Sequence, residues 1–203
     1  MDIRCLGDGI GAEITGLDVR SMDDAAFARI YRAWLDYNVI VVRDQHLATE
    51  DFLAYSRRFG PLAEHPSKNT RHPDHAEITL LGVNKFGPDG KLDNKIYRRG
   101  AENFHTDGNY EQEPFKATQL YALAIPSRGG DTYFASMYTA YDMLPERLKT
   151  HLEVATASTS MAGARRNTTR CSPGKTSNPA SPSDTRFSAP IAKPAAGCSI
   201  SIR

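Results

Sequence analysis

Residues 27–42 constrain the fold of this chain more than any other stretch, because the hydrophobic period changes there within a few positions. Phe27, Ile30, Tyr31, Trp34 and Leu35 fall at helical spacing and predict an amphipathic helix, with Ser21 available as its cap. Asn38 ends that pattern. Val39-Ile40-Val41-Val42 then forms a β-branched run of the kind that fills a buried strand.

Other elements follow the same logic. Gly7 to Asp18 reads as a glycine-punctuated strand and turn. Thr49 can cap a second helix carrying Phe52, Leu53, Ser56 and Phe59, closed by Gly60-Pro61. Ile78 to Val83 and Ala117 to Ile125 read as strands. Gly87 to Gly100, rich in Gly, Asp, Asn and basic residues, reads as a loop. Tyr138 to Leu152 predicts one further helix, with Leu144, Leu148 and Leu152 on one face. Short strands after two early helices point to an α+β, mainly β design around a β-sandwich or jelly roll.

Composition excludes several classes. Of 203 residues, 40% are hydrophobic and 24% charged, enough for a real core in one globular domain. A net charge of +1 gives no footprint for nucleic acid or for an anionic membrane surface. No apolar run approaches the length of a membrane span, and Met1-Asp2-Ile3-Arg4 does not start a signal peptide. Cys5, Cys171 and Cys198 lie far apart, with neither a disulfide framework nor a zinc knuckle. A soluble, cytoplasmic protein is expected.

Phe104-His105-Thr106-Asp107 carries the chemistry. On a strand, residues i and i+2 share a face, so an imidazole and a carboxylate could grip one metal ion there. They would be two of the three protein ligands of a 2-His-1-carboxylate facial triad, which leaves one face of Fe(II) open. Taken alone, the pair reads first as a surface histidine beside an acid. A zinc hydrolase built on the same pair lacks any other nearby ligand set. Thr132 alone reads as a turn residue capping Gly129-Gly130, and His65 as a loop histidine. Arg98-Arg99 reads as a solvated pair close enough to the metal strand to meet an anionic substrate.

Four segments in order carry a family resemblance: GAEITGLD, VIVVRDQHLATEDFLAYSRRFGPL, NFHTDGNY and ALAIPSRGGDTYFASMYTAYDMLP. Together they resemble the TauD/TfdA group of Fe(II)- and 2-oxoglutarate-dependent dioxygenases. His-x-Asp alone is weak, but followed by Gly-Gly-Asp-Thr, behind RDQ and FGPL, it is specific. The resemblance implies a double-stranded β-helix (jelly roll) with flanking helices, incomplete at the C-terminus. It implies that His105 and Asp107 bind Fe(II), that Thr132 holds a carboxylate of 2-oxoglutarate, and that His65 faces substrate. The implied reaction couples oxidative decarboxylation of 2-oxoglutarate by O2, giving succinate and CO2, to hydroxylation of a small, anionic organic molecule. A homo-oligomer is compatible with the resemblance, and the sequence leaves the oligomeric state open.

The family also uses a distal histidine and a later arginine, which this sequence does not show. His151 sits in a helical pattern and is a poor substitute. Residues 1–156 are therefore expected to be the N-terminal part of a dioxygenase domain, and 157–203 a non-native, disordered tail. From Met161 to Arg203 there are seven Lys or Arg, a single acid (Asp184) and five prolines, with no lasting period. Read one base out of frame, Ser183 to Ile202 can encode RHPVLRTHRETGRRVLYLN, which resembles the family's HPVxRTHxETGRxxLYxN segment. A frameshift near Val154 to Ser160 is the expected origin of the tail. The alternative to an enzyme is then a non-catalytic remnant that binds metal weakly or folds poorly.

Overall fold

The computed structural model describes residues 1–7, 9–64, 71–81, 104–109, 111, 114–125, 127–129, 131–159, 187–190 and 198–202. The chain opens with β1 (Asp2–Cys5) and β2 (Ala12–Thr15), an antiparallel pair in the register Ile3 to Ile14. Helix α1 (Asp24–Tyr37) follows, then β3 (Val39–Val42), which returns parallel to β2. Next come α2 (Thr49–Arg57), β4 (Ala117–Tyr121), α3 (Met137–Asp142) and α4 (Glu146–Glu153). Three short strands complete the described elements: β5 (Thr156–Thr159), β6 (Phe187–Pro190) and β7 (Cys198–Ile202). The main sheet has the order β1-β2-β3-β7-β4, and β5 pairs with β6 in a separate antiparallel ribbon. This is a mixed α/β arrangement. Although the sequence from 157 onward holds no lasting period, β7 lies parallel between β3 and β4.

The core sits where α1 crosses β2 and β3. Ala12 and Ile14 alternate with Glu13 along β2, and both are fully buried. Register places Ala12 beside Ile40 and Ile14 beside Val42, giving a four-residue apolar square. Ile30, Ala33 and Trp34 of α1 cover it. Phe59, just past α2, closes the cluster edge-on to Trp34, Tyr55 and Phe27, with ring centroids 5.7, 5.3 and 5.0 Å away. Trp34 Nε1 and the Tyr55 hydroxyl are buried without a hydrogen-bond partner among the described residues, and burial pushes the Tyr55 pKa up. Burial of the two large rings therefore outweighs the cost of two unpaired polar atoms.

Local chemistry explains the helix ends, with two departures from expectation. Asp23, not Ser21, caps α1, its carboxylate accepting the Ala26 N–H at 2.7 Å. Asn38 stops the helix as expected, at φ 65°, a conformation asparagine tolerates, while its N–H still reaches the Trp34 carbonyl. Ala48 precedes α2, and Thr49 is its first residue; Asp51 accepts the Ala48 N–H at 3.0 Å. The single helix expected over Tyr138 to Leu152 is two, because Pro145 cannot donate to the turn before it and starts α4 instead. Ile78 to Leu81 form no strand, only one bridge from Thr79 to Arg71. β4 stops at Tyr121 rather than Ile125. Val83 and the Gly87 to Gly100 loop, with Arg98-Arg99, lie outside the described residues.

Gln45 is the main polar staple. Though 5% exposed, it accepts the Val19 N–H at 3.0 Å and donates to the carbonyls of Leu17 and Arg43 at 2.7 and 2.6 Å. It ties the turn after β2 to the end of β3. On the other face of β2, Glu13 lies between Arg4 and Arg43, each at 2.7 Å.

Two outcomes follow from this packing. Trp34→Ala should destabilise the chain by about 3–5 kcal/mol in chemical denaturation, because the aromatic cluster cannot collapse into the space. Hydrogen bonds from Arg4 and then Arg43 hold the Glu13 carboxyl below its ordinary value. Its contribution is thus complete above the unfolded glutamate pKa and is lost as pH falls through the depressed folded value. Glu13→Gln should flatten that acid limb of the stability profile in melts taken across acidic pH.

Candidate metal-binding site

The site grows out of β4 and the turn ahead of it. Along β4, Ala117 and Tyr121 pack against the core, and Gln119 accepts a hydrogen bond from Ser56 of α2 at 2.7 Å. The Tyr121 ring stacks on Phe52 at 5.7 Å, and its hydroxyl accepts the Leu47 N–H at 2.9 Å. Ahead of the strand, Lys116 Nζ donates to the Phe59 carbonyl at 3.0 Å. These contacts commit one face of β4 to α2. A period of two puts Thr118 and Leu120 on the opposite face.

The preceding turn folds back onto that second face. Gly108 is buried at φ +70°, and a Cβ there would lie 2.6 Å from the Phe115 ring, so glycine is required. The Glu111 N–H donates to the Gly108 carbonyl at 3.0 Å and closes the turn. His105 and Asp107 are carried on this segment rather than on a strand, contrary to the expectation that a sheet would set their common face. The left-handed glycine turns the chain directly after Asp107, and residues 104–109 pair with no strand among the described residues. The side chains converge all the same: His105 Nε2 lies 3.2 Å from Asp107 Oδ1. Both are about half exposed, at 50% and 47%. Thr118 Oγ1 donates to Asp107 Oδ2 at 2.8 Å.

This spacing fits a shared metal ion. Two cis ligands about 2.1 Å from one octahedral ion stand about 3.0 Å apart. An imidazole nitrogen and a carboxylate oxygen also form the mixed donor set that suits a first-row divalent ion. A plain ion pair accounts for the same distance when the histidine is protonated. Thr132 lies exposed in the segment 131–136, with no hydrogen bond to His105 or Asp107 among the described residues. His65 lies outside the described residues. His151 is exposed on α4, and among the described residues no three His, Cys, Asp or Glu side chains are grouped to hold one ion. Thr118 and Gly108 were not singled out by the sequence reading. The alternation of β4, with Gln119 and Tyr121 turned to α2, is the signal that could have found Thr118.

Comparison with known proteins identifies the class. The family model described as taurine catabolism dioxygenase TauD, TfdA family, matches residues 2–194, and the chain belongs to that family. It is 34% identical over 163 residues to the (S)-phenoxypropionate/alpha-ketoglutarate-dioxygenase of Sphingobium herbicidovorans, covering 77% of this chain and 52% of that protein. It is 30% identical over 149 residues to the alpha-ketoglutarate-dependent 2,4-dichlorophenoxyacetate dioxygenase of Cupriavidus pinatubonensis, covering 70% and 52%. Among solved structures, AAD-2 in complex with Mn(II) and N-oxalylglycine superposes with a TM-score of 0.60 at 26% identity, covering 77% of this chain and 55% of that one. A taurine dioxygenase from Burkholderia xenovorans gives 0.59 at 25% identity, covering 77% and 52%. The chain spans about half the length of these relatives. The family and these relatives are 2-oxoglutarate-dependent dioxygenases, hence oxidoreductases acting on small molecules. No helix among the described residues is long and apolar enough to cross a membrane.

Gly108→Ala tests how the turn is held. It should destabilise the chain by about 1–3 kcal/mol, from the positive φ and the clash with Phe115 together. Combined with Phe115→Ala, the losses should fall short of additive in a double-mutant cycle read by thermal melts.

Proposed function

We propose that residues 1–156 are the N-terminal part of an Fe(II)- and 2-oxoglutarate-dependent dioxygenase domain of jelly-roll type, acting on a small, anionic organic molecule. The observation that carries this reading is the approach of His105 Nε2 to Asp107 Oδ1 at 3.2 Å, within a chain of this family. Relatives named for phenoxypropionate and 2,4-dichlorophenoxyacetate support a carboxylate-bearing substrate. In this proposal His105 and Asp107 hold the metal, Thr132 contacts a carboxylate of 2-oxoglutarate, and His65 faces substrate. Iron in such a site supplies the means of activating O2 at the expense of 2-oxoglutarate.

The chain's own residues have narrower tasks. His105 presents a neutral imidazole nitrogen, and Asp107 presents one carboxylate oxygen and charge to balance the ion. Through Thr118, Asp107 meets the alternate face of β4 from the one that Gln119 presents to α2. With two such ligands and no grouped third among the described residues, affinity and positioning should both be weak. Residues 157–203 are proposed to be a non-native tail produced by a shifted reading frame, with the protein residing in the cytoplasm. The nucleotide sequence tests the tail directly: stop codons, or no family-like segment in the alternative frame, would end that idea.

Turnover tests the rest. With Fe(II), 2-oxoglutarate and ascorbate, the chain should release little or no succinate above a metal-free control. Vigorous decarboxylation, lost in His105→Ala, would show that the pair suffices without the distal ligand and would overturn the impairment.

A further inference from the structure

Asp107 is held by a neighbour across the fold. Its carboxylate has two oxygens with distinct partners: Oδ1 faces His105 Nε2 at 3.2 Å, and Oδ2 accepts the Thr118 hydroxyl at 2.8 Å. We infer that Thr118 is a positioning residue for metal capture: its hydroxyl fixes the plane of the Asp107 carboxylate so that Oδ1 stays beside His105. This inference rests on the reading of His105 and Asp107 as metal ligands.

Three observations support it. First, an aspartate on a half-exposed turn would otherwise rotate freely about its terminal torsion, which is broad for a carboxylate. A hydrogen bond to one oxygen removes that freedom before any ion arrives, and an ordered ligand loses less entropy on binding. Second, Thr118 is itself rigid. It belongs to β4, whose other face is pinned through Gln119 to Ser56 and through Tyr121 to Phe52 and Leu47. A β-branched side chain on such a strand has few rotamers, so its Oγ1 is a fixed point from which to aim the carboxylate. Third, Gly108, directly after Asp107, packs against Phe115, three residues ahead of Thr118, which ties the ligand segment to the start of the strand. The hydroxyl donates to Asp107, which leaves the charge on the carboxylate and its second oxygen available to the ion.

Metal ligands held by such outer partners typically lose 10- to 100-fold in affinity when the partner is removed. Titration of the full chain with Co(II), followed by its visible absorption, reads both affinity and ligand geometry without any turnover. Thr118→Val keeps the shape and removes the hydroxyl; it should weaken Co(II) binding about 10-fold and shift or broaden the visible band. Thr118→Ser should recover most of both. Thermal melts control for folding, and Thr118→Ala, expected to show the same loss, serves if the valine variant does not fold. Asp107→Ala separates a missing metal site from a site that Thr118 does not hold. If it abolishes binding while Thr118→Val and Thr118→Ala bind as the unaltered chain does, with an unchanged band, Thr118 does not position the ligand. If Asp107→Ala binds Co(II) as tightly as the unaltered chain, or that chain takes up none, the metal site itself is wrong and the inference falls with it.

Discussion

The packing of α1 across β2 and β3 is the constraint on which the other contacts rest. Ile30 and Trp34 cover the square made by Ala12, Ile14, Ile40 and Val42, and Phe59 brings the end of α2 into the same cluster. Once α2 is held there, its Phe52 and Ser56 can receive Tyr121 and Gln119 of β4. Lys116 adds a further tie, spanning from the Phe59 carbonyl to the face of Tyr31, 5.5 Å from the ring centroid. The apolar core thus reaches the candidate site through a chain of named contacts.

β4 is where structure becomes chemistry. A strand presents alternate side chains to opposite sides, and here the two sides have different work. Gln119 and Tyr121 bind the strand to a helix, while Thr118 reaches the carboxylate carried by the preceding turn. The turn needs a glycine because Phe115 occupies the volume where a Cβ would stand. His105 and Asp107 beside it are about half exposed. Half-exposed charges also interact weakly in water, so geometry rather than charge alone must hold the pair together.

Much of this was legible in the residues, and the failures have physical causes. The switch from period 3.6 to a β-branched run placed α1 and β3, because both patterns depend only on which faces must leave water. Ser21 suits a cap by residue type, but Asp23 takes that position, because any short oxygen-bearing side chain can accept the N–H and local spacing does not say which one the chain brings there. Tyr138 to Leu152 kept an apolar period through Pro145, although the ring forbids one continuous helix. Ile78 to Leu81 had strand-like composition but found only the single bridge from Thr79. The approach of His105 to Asp107 was legible in the His-x-Asp spacing, yet its setting was not. The segment ends in a turn at Gly108, which packs against Phe115, a contact no local pattern encodes. Thr118 escaped for the same reason: it meets Asp107 only after the chain has doubled back.

The two-sidedness of β4 has a consequence for how this segment can change over time. Odd positions 117, 119 and 121 answer to packing, so they should accept other side chains only when volume and a buried partner are matched. Even positions 118 and 120 face away from that packing and are released from its demands. Substitution along these five residues should therefore alternate in kind: bulk governs every second place, and donor chemistry governs position 118. A drift in sequence that looks uniform when averaged over the strand would conceal two independent selective regimes interleaved one residue apart.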